Sequence, residues 1–333
     1  MIVNSIYPWQ YEVWQRMLAD KAKMPHALLL RGQAGIGKLE FATFLAKSLL
    51  CEQPNTQHQA CGVCPSCGWF EQDNHPDFRL VSPEQETNKD EESSKSTKKK
   101  TQILIDQIRG LNDFLSLSSH KSDGLRIVLI NPAEGLNLAS GNALLKMLEE
   151  PPRGAMFILV AHQPQKILAT IMSRCQKIDM PVPNTQQALS WMTQAGISNA
   201  EAILSYAGGS PLQAADEAEE GVAASLSICK QLASGKQLDI FQAASSCLAL
   251  GMESALSALH KWTYDLFLCR MTGDVRYHPE QKGALQKLAQ ASNISLLLDL
   301  NKKLDEAKKS ATHPLNNELQ LERLLHHYTQ IFF

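Results

Sequence analysis

Two groups of residues are spaced for chemistry. The run Gly32-Gln-Ala-Gly35-Ile-Gly37-Lys38-Leu39 fits Gly-x4-Gly-Lys, the Walker A phosphate loop, up to its last position. Such glycines let backbone N–H groups turn inward around a phosphate, and the lysine adds a point charge. The Ser or Thr that normally follows the lysine holds Mg²⁺ against the nucleotide. Leu39 stands there and has no oxygen to offer. The loop is therefore expected to be fit for cradling phosphate and badly equipped for hydrolysis.

The second group, Cys51-x9-Cys61-x2-Cys64-x2-Cys67, supplies four sulfurs from one short stretch. Cys-x2-Cys spacing lets two thiolates reach one ion at about 2.3 Å, and four close a tetrahedral structural Zn²⁺ site with no open position. Structural zinc is the leading expectation. An iron–sulfur cluster, disulfides and free thiols are the alternatives. The remaining cysteines, Cys175, Cys229, Cys247 and Cys269, are scattered through a long chain, which is not the pattern of a secreted disulfide framework.

These groups need elements to position them. His26-Ala-Leu-Leu-Leu30 is a short apolar run ending at the glycine-rich loop, which predicts a buried strand, with a helix beginning near Lys38. Residues 126–130 and 156–161 predict two more strands, and their alternation with helical stretches implies a parallel sheet with helices on both faces. A working phosphate-loop enzyme places carboxylates at the end of a neighbouring strand, one for Mg²⁺ and one for the attacking water. Here the strand 126–130 runs into Asn131-Pro132, and Glu134 arrives late; it reads as a helix N-terminal residue favoured by the dipole.

Between Pro83 and Thr101 the chain is charged and lacks aliphatic and aromatic residues, which predicts a mobile surface loop with Lys98, Lys99 and Lys100 as a solvated tip. Pro181-Val-Pro183 marks a linker, and Gly208-Gly209-Ser210-Pro211 a break followed by a helix start. From about Val222 only helices are expected. Leu315, Leu319, Leu324, Tyr328 and Ile331 fall close to one helical face, as core or subunit interface. A net charge of -2 gives no overall basic footprint for DNA or an acidic membrane. The N-terminus lacks the basic-then-apolar pattern of a signal peptide, and no apolar run approaches the roughly 18 residues of a membrane span. A soluble, cytoplasmic protein is expected.

Asn142-Ala-Leu-Leu-Lys-Met-Leu-Glu-Glu-Pro-Pro152 resembles a signature of bacterial DNA polymerase III clamp-loader subunits of the AAA+ family. By itself it is an amphipathic helix stopped by two prolines. Pro25-His26 before the loop, the four-cysteine module, His75-Pro-Asp77, Gln163-Pro-Gln-Lys-Ile-Leu168, Ser173-Arg174-Cys175 and residues 316–325 follow in the family's order. The likeness covers essentially the whole chain apart from the charged insert.

The resemblance implies an α/β plus all-α fold. An AAA+ P-loop domain with a parallel sheet would occupy 1–181, including a zinc module at 51–67 and the charged loop at 83–101. A small helical lid would follow at 182–222, and a helical collar at 223–333. It also implies that Arg174 is an arginine finger acting in the ATP site of an adjacent subunit, with Ser173 and Cys175 setting the turn that aims it. Leu212 falls where the family usually has a nucleotide-sensing arginine. With Leu39, Asn131 and Pro132 this points to a non-hydrolysing member. Gly32, Gly35, Gly37 and Lys38 would form a vestigial loop, and the chain's own ATP and Mg²⁺ are not expected. The implied partners are ATP-hydrolysing clamp-loader subunits and a delta subunit in a pentamer, the sliding clamp, and primer–template DNA without sequence specificity. The chain would thus be one component of a DNA-directed DNA polymerase holoenzyme. The alternatives are an active P-loop ATPase of the same kind of complex and a free-standing zinc module for nucleic acid, which the acidic balance opposes.

Overall fold

The computed structural model describes residues 5–18, 24–83, 102–116, 124–216, 219–310 and 316–332. Most of the charged stretch, including Lys98–Lys100, and Leu315 lie outside these residues. The chain divides into two compact units, Met1–Pro183 and Asn184–Phe333.

The first unit holds α1 (Tyr11–Leu18), β1 (Ala27–Arg31), α2 (Lys38–Leu50), α3 (Pro65–Glu71), β2 (Phe78–Val81) and α4 (Ile105–Ser116). Then come β3 (Arg126–Ile130), α5 (Leu138–Glu149), β4 (Ala155–Ala161), α6 (Ala169–Arg174) and β5 (Gln176–Asp179). The strands form one parallel sheet in the order β2-β3-β4-β1-β5. In the central strands alternate residues serve opposite faces, as the period of two demands. Leu28, Leu30, Ile127, Leu129, Ile158 and Val160 pack with α1 and α2. Leu29, Val128, Ile130, Phe157 and Leu159 pack with α4, α5 and α6. Burial on both faces is why these strands read as continuous apolar runs. The register sets Leu30 beside Val160 and Ile130 beside Leu159, so the loops that leave β1, β3 and β4 meet at one end of the sheet.

The second unit is helical: α7 (Thr185–Gln194), α8 (Ala200–Tyr206), α9 (Pro211–Asp216), α10 (Glu219–Leu232) and α11 (Ile240–Leu250). They are followed by α12 (Met252–Thr272), α13 (Lys282–Gln290), α14 (Ile294–Ser310) and α15 (Asn317–Thr329). It contains two hydrophobic clusters. One joins Ala188, Met192, Ile203, Leu204 and Val222; the larger is built around Trp262 of α12. Leu324, Tyr328 and Ile331 are buried there as expected, but Leu319 is exposed. With Asn316 as N-cap, Leu321, Leu324, Leu325 and Tyr328 make the buried stripe, and a five-residue step from Leu319 to Leu324 falls off it.

The helical core also buries a polar knot. Asp265 accepts the backbone N–H of Arg276, Tyr277 and His278, and its carboxylate takes the His278 Nδ1 proton at 2.9 Å. The ring's Nε2 lies 3.3 Å from the Cys229 sulfur. Burial pushes that thiol up to about 12, so it keeps its proton.

Among the described residues no helix is long and apolar enough to cross a membrane.

Candidate functional site

Lys38 opens α2 directly after the glycine loop, but its side chain does not project into an open cradle. It is 2 % exposed, and its ammonium folds back to donate to the carbonyls of Gly32, at 2.8 Å, and Gln33. Burial brings it down to about 8, against the opposing pull of Glu134 and Glu40. The loop is capped from outside by the N-terminal segment. Trp9 Nε1 and Gln10 Nε2 each donate to the Ile36 carbonyl at 3.0 Å, and Gln10 Nε2 also reaches Gly37 O at 2.8 Å. Tyr7 stacks on Trp9 with ring centroids 4.9 Å apart. Gly37 has φ 84°, and a Cβ there would lie 2.5 Å from the Tyr7 ring. Glycine is therefore required both by conformation and by the close approach of the aromatic cap.

The metal-side positions are equally altered. Leu39 packs beside the hydrophobic cluster of α1, α2 and the sheet, and its side chain has no oxygen to offer a Mg²⁺ ion. Asn131 and Pro132, joined by a cis peptide, follow β3. Glu134 does not start an α-helix; it lies in a 3-10 turn. Its carboxylate reaches across to accept the backbone N–H of His162 at 3.0 Å and of Gln163 at 3.0 Å. It ties β3 to the end of β4 and is engaged as a brace. His162 titrates below its ordinary value because it is buried and because Lys38 lies nearby. Leu212 is half-buried at the start of α9.

At Ser173-Arg174-Cys175 the side chains take opposite directions. Cys175 is buried in the sheet core, and burial pushes its thiol up to about 11. Ser173 donates to the Thr170 carbonyl at 2.9 Å, closing the last turn of α6. Arg174 lies outward, its side chain 37 % exposed, with NH1 donating to Thr170 O at 3.1 Å and NH2 paired with Glu149.

The four cysteines come together. Their sulfurs all lie within 4.8 Å of one another, with Cys51–Cys64 at 3.8 Å and Cys61–Cys67 at 4.0 Å. Metal–sulfur bonds of about 2.3 Å in a tetrahedron give sulfur–sulfur edges of about 3.8 Å. The set therefore fits a single ion, whereas an iron–sulfur cluster needs its thiolates farther apart. No disulfide joins them. The backbone N–H groups of Val63 and Cys64 bring Cys61 down to about 6, while burial raises Cys51 and Cys67. The module is moored to the fold by Lys47, Glu71 and Ser66, which the sequence did not single out, together with His75 and Asp77 of the His-Pro-Asp run. Lys47 of α2 pairs with Glu71 of α3 at 3.2 Å. His75 Nδ1 accepts the Asp77 N–H, so Nε2 carries the ring proton and donates to Ser66 Oγ at 2.9 Å, whose hydroxyl goes to Leu50 O.

Comparison with known proteins gives the family. The profile of a family described as "DNA polymerase III, delta subunit" matches residues 7–184. The chain is 34 % identical to the DNA polymerase III subunit delta' of Pseudomonas aeruginosa, over 96 % of this chain and 96 % of that protein. It is 36 % identical to the subunit delta' of Bacillus subtilis over 48 % of this chain and 43 % of that one. Among solved structures, a DNA polymerase III gamma subunit-related protein of Thermotoga maritima aligns over 97 % of this chain and 99 % of its own, at 17 % identity and a TM-score of 0.41. The phosphate loop, the cysteine module and the Ser-Arg-Cys turn lie within the span that the profile matches, and the chain belongs to the family of bacterial DNA polymerase III delta-prime subunits.

Proposed function

We propose that the protein is a non-hydrolysing subunit of a DNA polymerase III clamp loader and that it lends Arg174 to the ATP site of an adjacent subunit. The observation that carries this reading is the opposite disposition of two cations. Lys38 is folded onto its own loop beneath an aromatic cap, whereas Arg174 is presented at the surface by a closed helical turn. An arginine offered in trans stabilises charge developing on a transferring phosphoryl group, worth about 10³–10⁵ in rate. A planar guanidinium suits this better than an ammonium because its fork of donors matches phosphate oxygens. The missing metal ligands at Leu39, Asn131 and Pro132 support the lack of turnover in the chain itself.

The partners in this reading are ATP-hydrolysing subunits and a delta subunit in a five-membered ring, the sliding clamp, and primed DNA. The smaller helical cluster would serve as a lid and the larger as an oligomerising collar, with boundaries near 182 and 223. The ion at Cys51, Cys61, Cys64 and Cys67 is proposed to be Zn²⁺ in a purely structural role, because four thiolates leave no position for substrate. Elemental analysis should find one zinc per chain.

The functional test is ATP hydrolysis by the purified chain, then by the complete loader with clamp and primed DNA. Silence of the chain alone, with partner turnover that collapses on Arg174→Ala, is the expected result. Mg²⁺-dependent turnover by the lone chain that Lys38→Ala abolishes would overturn it.

A further inference from the structure

Glu149 is the last residue of α5 and its carboxylate pairs with NH2 of Arg174. Its position is fixed from two sides. The preceding carbonyl, Leu148 O, accepts from His26 Nε2 at 3.1 Å, and His26 stands directly before β1, the strand that leads to the glycine loop. Leu144 and Leu148 are buried in the core beneath it, and Pro151-Pro152 prevent the helix from continuing. The helix that bears Arg174 is held equally closely. Gly141 of α5 faces Leu168, and a Cβ at Gly141 would lie 2.7 Å from the Leu168 Cδ1 atom. α5 and α6 are thus one packed pair, with an acceptor at the end of one helix and a donor at the end of the other.

We infer that Glu149 is a positioning residue for Arg174, a clasp that fixes the direction of the guanidinium. This rests on the reading of Arg174 as a finger. A lone surface arginine samples many rotamers, and whatever order the reaction needs must be imposed when the phosphate arrives. Glu149 engages NH2 and the Thr170 carbonyl engages NH1, so the plane of the guanidinium is set. The guanidinium carries five N–H donors in all. NH1 also lies 3.5 Å from Ser173 Oγ, and the guanidinium is half-exposed toward solvent, where an anion could reach it. Both members of the pair touch solvent, at 37 % and 49 % exposure, so the clasp adds little to stability and its effect is directional.

The test is steady-state ATP hydrolysis by the complete loader with clamp and primed DNA, carrying this chain as wild type, Glu149→Ala, Glu149→Gln, Arg174→Ala or the Glu149→Ala/Arg174→Ala double variant. Glu149→Ala should lower kcat about 10-fold with KM unchanged, because misdirection is felt in the transition state. Glu149→Gln keeps an acceptor oxygen and should recover part of the loss. The double variant should match Arg174→Ala alone, since both changes act through one group. Full activity of Glu149→Ala, a rise in kcat, or a loss that adds to that of Arg174→Ala would each overturn the assignment while leaving the finger intact. If Arg174→Ala itself has no effect, the finger reading falls and the clasp falls with it.

Discussion

Lys38 and Arg174 invert the usual fates of a buried and an exposed cation. The lysine of a phosphate loop ordinarily keeps its charge free for a ligand; here it is spent on two carbonyls of its own loop. The arginine stands at the surface, where a side chain normally wanders, yet it has fixed partners. On the proposed reading, loss of catalysis at the phosphate loop has not loosened it. Trp9 and Gln10 hold the Ile36 and Gly37 carbonyls and Tyr7 stacks on Trp9, so the loop is braced from outside by the chain's own residues, while the Ser-Arg-Cys turn faces solvent.

The largest expected effect comes from Arg174→Ala, which should reduce ATP turnover by the assembled loader about 10³-fold, whereas Lys38→Ala should leave it within about two-fold. Rates of the two reconstituted variants decide whether the contrast is functional. Gly37→Ala comes next. It forces a side chain into left-handed backbone and toward Tyr7, and should destabilise the first unit by about 1–3 kcal/mol, with a shift in tryptophan emission as the stack yields.

Lys38→Met should change the pH dependence of stability. The folded lysine titrates near 8, below the unfolded value of about 10.4, so the unfolded chain holds more protons between those limits. Stability of the wild type should therefore gain up to about 1.4 kcal/mol per pH unit from this group as pH rises through that window. Paired denaturation curves at pH 7.5 and 9.5, values chosen as about either side of the lysine's titration, should show the gain shrinking in Lys38→Met. The smallest effect is predicted for Leu39→Thr, which restores a hydroxyl but neither carboxylate. Calorimetry with Mg·ATP should register no saturable binding, because Lys38 and the aromatic cap still occupy the loop.

Spacing and burial explain what was legible in the sequence. Residues 27–31, 126–130 and 155–161 announce themselves because both faces of these strands are covered and, apart from Arg31 and Arg126 at strand ends, every position is apolar or small. Edge strands β2, Phe-Arg-Leu-Val, and β5, Gln-Lys-Ile-Asp, are short and half-polar, and no periodicity distinguishes them from loop. The cysteines were readable because metal ligation demands local spacing. The contacts that define the candidate site were not. Glu134 meets a backbone 28 residues away, Gln10 a loop 26 residues away, and His26 a carbonyl 122 residues away. Such pairings exist only once the sheet has brought the strand ends together. Glu134 could be taken for a helix-dipole residue for this reason, and Glu149 for one more charge in a helix tail.

Cys51 follows the last residue of α2, the helix whose first residue is Lys38. A metal held by Cys51, Cys61, Cys64 and Cys67 therefore grips the far end of the same rod that the phosphate loop begins. Where a phosphate loop exchanges nucleotide, its occupancy changes with every turnover. An ion held at the four sulfurs would be neither consumed nor released during a reaction cycle. By linkage, a ligand whose occupancy never varies adds a constant to stability and transmits no signal. On the proposed reading, α2 would thus be referenced at its far end to a ligand that does not change.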